Sequence, residues 1–115
     1  MAFSEIETKR CEALVGAFVE TRRPPEDIRP KLDIGFRIKG QSVEIFEIHP
    51  MFLNPDKKME SPVAKATYVR KQQVWKVYWQ RRDMKWHSYP AQSEVRSIEE
   101  FLELVDEDAL CCFWG

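Results

Sequence analysis

Seven side chains between residues 65 and 89 carry the clearest chemical potential in this sequence: Lys65, Lys76, Tyr78, Arg82, Lys85, His87 and Tyr89. Amines and a guanidinium neutralise phosphates, and flat rings carried on strands offer stacking surfaces to exposed bases. Their spacing places them together. Val74 to Gln80 is β-branched and aromatic, with the period-two alternation of a half-buried strand. If Arg82-Asp83 is a two-residue turn, Trp79 stands opposite Trp86 and Tyr78 opposite His87. One face then holds Trp75, Val77, Trp79, Met84 and Trp86, and the other Lys76, Tyr78, Gln80, Lys85, His87 and Tyr89. The preceding strand adds Ala64, Ala66 and Tyr68 to the tryptophan face, the alanines leaving room for indoles, and Lys65 and Thr67 to the polar one. A slip of one residue would exchange the faces, so the expectation rests on this register. The competing reading is a solvated sheet surface on which lysines deter edge pairing.

Other constellations are weaker. Glu47 and His49 lie two apart on one strand, with Asp33 on its neighbour and Lys65 nearby, which is the outline of a metal-dependent hydrolase. No third ligand is placed by spacing, and a Glu47 paired with Arg37 or Lys65 across the sheet explains the residues as well. Cys111 and Cys112 are adjacent, so on a strand they point to opposite faces and make a poor redox pair. No glycine-rich phosphate loop and no nucleophile beside a base is present. The expectation is therefore a non-enzymatic binding domain without metal or cofactor.

Composition agrees with an ordinary globular chain. One domain spanning residues 1–115 is long enough to bury a core without covalent staples. No apolar run reaches membrane-spanning length, and three cysteines without metal spacing suit reduced thiols in the cytoplasm. A net charge of −1 hides a split. Residues 62–89 hold seven Lys/Arg against one Asp, whereas residues 90–115 hold one Arg against seven Asp/Glu. Such polarity serves an anionic partner, a second copy of the chain, or pairing within the fold.

The elements that must position these groups are legible. Ser4-Glu5-Ile6-Glu7 is a capping box that opens a long helix, with Phe3, Cys11, Leu14, Val15 and Phe18 on one face, and Pro24-Pro25 ends it. Leu32 to Lys39 alternates as a strand, and Gly40-Gln41 suits a type II′ turn. Ser42 to His49 is apolar on both faces and therefore central. Pro50 to Glu60 reads as the longest irregular segment. Ser97-Ile98-Glu99-Glu100 opens a short helix whose Ile98, Phe101, Leu102 and Val105 point inward, and Ala109 to Trp114 docks as a strand or tail. The sum is α+β: a mostly antiparallel sheet of about five strands with a long N-terminal and a short C-terminal helix on one face.

Several stretches bear a further likeness: Arg22-Arg23-Pro24-Pro25, Val43 to Pro50, Pro62 to Lys65, Trp75 to Trp79, Lys85 to Tyr89 and Cys112 to Gly115. Over nearly its whole length the chain resembles a bacterial family catalogued as domain of unknown function 3024. The resemblance implies a stand-alone bacterial domain and attaches no activity to it. Nucleic acid bound on the basic, aromatic face is the leading expectation. The alternative is a protein-interaction module or homodimer using a sheet edge or the acidic C-terminal helix, and no membrane partner is expected.

Overall fold

In the computed structural model, which describes residues 3–110 and 112–114, the chain opens with α1 (Glu5–Arg22). The Ser4 hydroxyl accepts the Glu7 amide at 3.2 Å while Glu7 Oε1 accepts the Ser4 amide at 2.8 Å, so two orphan donors of the first turn are satisfied. That bond from the Ser4 backbone, followed by one from Arg70, holds the Glu7 carboxyl down at about 2. Arg23, in extended backbone, ends the helix ahead of Pro24. Its Nε and Nη2 both reach the Asp33 carboxylate at 2.8 Å, a bidentate fork that ties the end of α1 to the start of the sheet. Arg23 is also the main reason the Asp33 carboxyl lies below its ordinary range.

The sheet runs β1 (Asp33–Lys39), β2 (Ser42–Pro50), β3 (Lys58–Val69), β4 (Val74–Gln80) and β5 (Trp86–Ser88) in that order, each antiparallel to the next. A two-residue β6 (Glu94–Val95) pairs with the other end of β4, and α2 (Ile98–Glu107) follows. The α+β reading holds, with two refinements. β3 begins at Lys58, inside the segment expected to be irregular, and β6 is an addition. Gly40 has φ of +60° and Gln41 does not share it, the pattern of a type II′ turn with glycine first.

Period two sorts the sheet into faces. Ile34, Val43, Ile45, Ala64, Ala66, Trp75 and Val77 form one buried layer. Ala64 stands across from Trp79 and Ala66 from Val77. Both helices dock on this layer, α1 through Cys11, Val15 and Val19, and α2 through Ile98, Phe101, Leu102 and Val105. Each such side chain contributes roughly 1.5–3 kcal/mol by leaving water. The helices are also clamped to one another by Arg10 to Glu99 at 3.2 Å and Arg22 to Asp106 at 2.7 Å. Much of the acidic C-terminal charge is thus met inside the fold.

The tail docks without forming a strand among the described residues. Asp108, in the left-handed region at φ 44°, accepts the Phe113 and Trp114 amides at 3.0 Å each. Trp114 donates its indole N–H to the Val105 carbonyl at 2.9 Å, and the Arg22 guanidinium lies 4.4 Å above its ring. Cys111 lies outside the described residues. Cys112 is half-buried, and Cys11 is buried with its thiol pushed up by that burial.

Two glycines test the packing in opposite senses. A Cβ on Gly35 would sit 2.9 Å from Phe46 Cε2, a ring itself held under the Arg37 guanidinium at 4.5 Å, whereas one on Gly16 meets only Phe36 at 3.7 Å. Gly35→Ala is expected to destabilise the domain by about 1–3 kcal/mol through overpacking. Gly16→Ala, inside a helix with room, is expected to stabilise it by about 0.5–1 kcal/mol. Denaturant midpoints of the two variants check both signs.

Candidate nucleic-acid interface

With both helices on one side, the alternate residues of the strands form an open face. Direct ladder partners share a face, so one row across it reads Arg37, Glu44, Lys65, Tyr78 and Ser88. Phe46 belongs to this face too. It is only 8% exposed, because Arg37 lies over it and Gly35 leaves room beneath.

The β4–β5 connection departs from expectation. Tyr78 pairs with Ser88, Trp79 with His87 and Gln80 with Trp86, one residue away from the register a two-residue turn would give. The loop holds three residues, Arg82, Asp83 and Met84. Met84 donates its amide to the Arg81 carbonyl at 2.9 Å, and Arg81 donates to the Lys85 carbonyl at 3.2 Å. Met84 takes φ of 64°, the left-handed step that completes a type I turn with a bulge. Asp83 fixes the extra residue: Oδ1 accepts the Lys85 amide at 3.0 Å and Oδ2 meets His87 Nε2 at 2.8 Å. Its carboxyl is accordingly held below the ordinary range, chiefly by the Lys85 amide and then by His87.

The slip exchanges Trp86 and His87. Trp86, expected among the covered tryptophans, joins the open face. Lys65 Nζ stands 5.0 Å from its ring centroid and 5.1 Å from that of Tyr78. His87, expected on the open face, shares the other one with Trp79. Met84, placed by the two-residue turn on the covered face, is 71% exposed at the corner.

Tyr89 is a second correction. Its amide bonds to the Val77 carbonyl at 2.9 Å, its ring lies 4.6 Å from Phe113, and it is 1% exposed, a core residue with no face to offer a ligand. Burial pushes its hydroxyl pKa up. The apolar tail supplies the pocket it fills, a long-range contact that strand alternation does not encode.

The remaining candidates separate by partner. Lys76 is ion-paired with Glu94 of β6, and Arg37 is held between Glu44 and Glu60. Lys65 enters no ion pair among the described residues: its ladder partner Glu44 pairs with Arg37, and on the β4 and β5 side it meets the Tyr78 and Trp86 rings. Lys85 and Arg82 are exposed at the turn. The face offers one compact group, Lys65 between Tyr78 and Trp86, and Trp86 is the member that sequence alternation misplaced.

The Glu47 constellation does not assemble. Asp33 is taken by Arg23, His49 Nε2 bonds to Ser61 Oγ at 2.7 Å, and Arg37 meets Glu44 and Glu60 rather than Glu47. Among the described residues no group of three or more His, Cys, Asp or Glu side chains is placed to hold a metal ion. No described helix is long and apolar enough to cross a membrane.

A family model described as Domain of unknown function (DUF3024) matches residues 3–115. The chain belongs to that family. Among curated proteins and solved structures none matches. The DUF3024 domain is thus an α+β unit with a one-sided helical cover, and its Trp75-Lys76-Val77-Tyr78-Trp79 strand lies at the centre of the features described above.

The turn makes a direct prediction. A left-handed conformation costs a side chain such as methionine about 1–2 kcal/mol, which glycine avoids. Met84→Gly is expected to raise stability by about 1 kcal/mol while leaving the β4–β5 register in place, since Met84 is exposed and its side chain packs little. Thermal denaturation, with cross-strand nuclear Overhauser contacts between Gln80 and Trp86, checks both parts.

Proposed function

We propose that this domain is a binding module rather than an enzyme, and that it takes single-stranded nucleic acid on the open face of its sheet. The observation that carries the reading is the Lys65 ammonium close to both the Tyr78 and Trp86 rings, in no ion pair among the described residues although Glu44 stands across the ladder from it. Two rings supply stacking for bases of any identity, and the amine between them supplies a charge for the phosphate that joins those bases. The wider face does not form a duplex-binding surface, because Lys76 and Arg37 already meet carboxylates. Few phosphates are neutralised, so affinity depends more on stacking than on counterion release.

Trp86→Ala and Tyr78→Ala are each expected to weaken binding of a pyrimidine-rich single strand by about 1–3 kcal/mol. Lys65→Gln removes roughly one phosphate contact and flattens an already shallow salt dependence. Fluorescence anisotropy with single-stranded and duplex oligonucleotides across a salt series reads all three. Equal binding to duplex, or no effect of Trp86→Ala, rejects the platform.

A protein-interaction reading is favoured by a separate observation. Phe52 is 94% and Leu53 89% exposed at the apex of the β2–β3 hairpin. They fill the corners of a turn closed by the Asn54 amide on the Met51 carbonyl at 3.3 Å, which aims them away from the body. Adjacent exposed apolar side chains of this size mark contact surfaces. The acidic α2 is less suited, since Glu99 and Asp106 already pair with α1. On this reading the apices of two copies pack together, and Phe52→Ser with Leu53→Ser converts a concentration-dependent dimer into a monomer in sedimentation equilibrium. A native chain that is monomeric at every concentration removes the self-association.

A further inference from the structure

The β4–β5 turn borders an open hollow of about 420 Å³ lined by Trp79, Arg81, Arg82 and Asp83. It lies apart from the Lys65 platform, and three features give it a chemical sense. The Trp79 indole N–H is buried and meets no acceptor among the described residues, unlike the Trp114 indole, which donates to Val105. A buried donor left unpaired carries a desolvation cost that an incoming acceptor oxygen recovers. The Arg81 guanidinium lies 5.8 Å from the centroid of the Trp79 ring, and Arg82 is exposed beside it. Neither arginine enters an ion pair among the described residues. The carboxylate in the lining is already engaged: both oxygens of Asp83 serve the turn, one on the Lys85 amide and one on His87.

We propose that this hollow binds a phosphate group, with the Trp79 N–H and the Arg81 and Arg82 guanidinium groups as donors. A phosphate presents acceptor oxygens in several directions at once. A carboxylate has two oxygens in one plane and cannot serve two guanidinium forks and an indole N–H together. Arginine also suits the task better than lysine, since its planar fork matches adjacent phosphate oxygens. The hollow is larger than a phosphate ion, so it also admits part of the group that carries it. The ligand is therefore free phosphate, a phosphomonoester, or the phosphate of a nucleic-acid strand, all of which present the same oxygens. Because the Trp79 Nε1 is buried in the free chain, the proposal requires the side chains over it to move as the oxygen arrives.

The four indole N–H resonances of the ¹H–¹⁵N spectrum provide the test, with Trp79→Phe and Trp86→Phe assigning two of them. The full chain is titrated separately with inorganic phosphate, with a 5′-phosphorylated oligonucleotide and with the same oligonucleotide lacking that phosphate. A saturable downfield shift of the Trp79 N–H, weakened about tenfold or more in Arg81→Gln/Arg82→Gln, is the expected result. Movement with inorganic phosphate identifies a site for the free ion or a monoester. Movement only with the 5′-phosphorylated strand identifies a terminal phosphate, and movement with both strands but not with the ion identifies the polymer backbone. A Trp79 resonance that never moves, or moves equally in the double variant, overturns the site. Should Trp86 alone respond to the strands, the phosphate site fails while the sheet platform stands; the reverse pattern separates the two the other way.

Discussion

Burial of a single sheet face governs everything else in this fold. Both helices pack on the layer formed by Val43, Ile45, Ala64, Ala66 and Val77, so the chain exhausts its helical cover on one side. The pleat then leaves the alternate residues without an internal partner layer. What stands there must be compatible with water, and the chain manages this in two ways. Phe46 is sheltered locally by Arg37 and by the space over Gly35. Elsewhere charges are interleaved across the ladders, as with Lys76 and Glu94. Lys65 keeps to that pattern only on its β2 side, where Glu44 is its ladder partner; towards β4 and β5 it meets rings.

The polarity of the sequence has a comparable resolution. A basic central stretch followed by an acidic one suggests two surfaces of opposite sign, yet the folded chain mixes them. Glu99 and Asp106 of α2 face Arg10 and Arg22 of α1, so the acidic segment is matched mainly by the N-terminal helix. These pairs are largely exposed, and each contributes only about 0–1 kcal/mol, so they orient the helices more than they hold them. The Arg23–Asp33 fork is better protected, with side chains 26% and 19% exposed. It joins the end of α1 to the first residue of β1 across a proline-rich connection, so it sets where the helix lies over the sheet. Long-range charge matching of this kind cannot be read from local spacing, because the partners are chosen by topology.

What the sequence does disclose is whatever depends on short periods. The limits of β4, the placing of Ala64 and Ala66 on the same face as Trp79 and Val77, the cap at Ser4 and the inward face of α2 all follow from alternation, helical spacing or capping chemistry. The errors share a cause as well. Arg82-Asp83 satisfies a two-residue turn by composition, but Asp83 gains two hydrogen bonds only if the loop takes in Met84. A left-handed methionine is an improbable choice from residue preferences alone. The carboxylate bonds favour the longer loop despite its backbone cost, and that one residue exchanges Trp86 and His87. Tyr89 is misplaced for a different reason, since its environment is made by Phe113, far away in sequence.

The misread turn and the candidate binding groups are therefore one structural event. In the shorter register Trp86 would cross from Trp79 and join the buried layer, leaving Lys65 with Tyr78 alone on the open side. The longer loop delivers a second ring to Lys65 and sets Arg82 in the turn beside the end of β4 where Arg81 lies near the Trp79 ring. A local bulge of this sort costs backbone energy and re-aims side chains, a pattern found where sheets carry function. Asp83 is the residue on which both consequences turn, although it needs to touch no ligand: its carboxylate holds the loop in the longer form, and the longer form decides which aromatic groups meet the solvent.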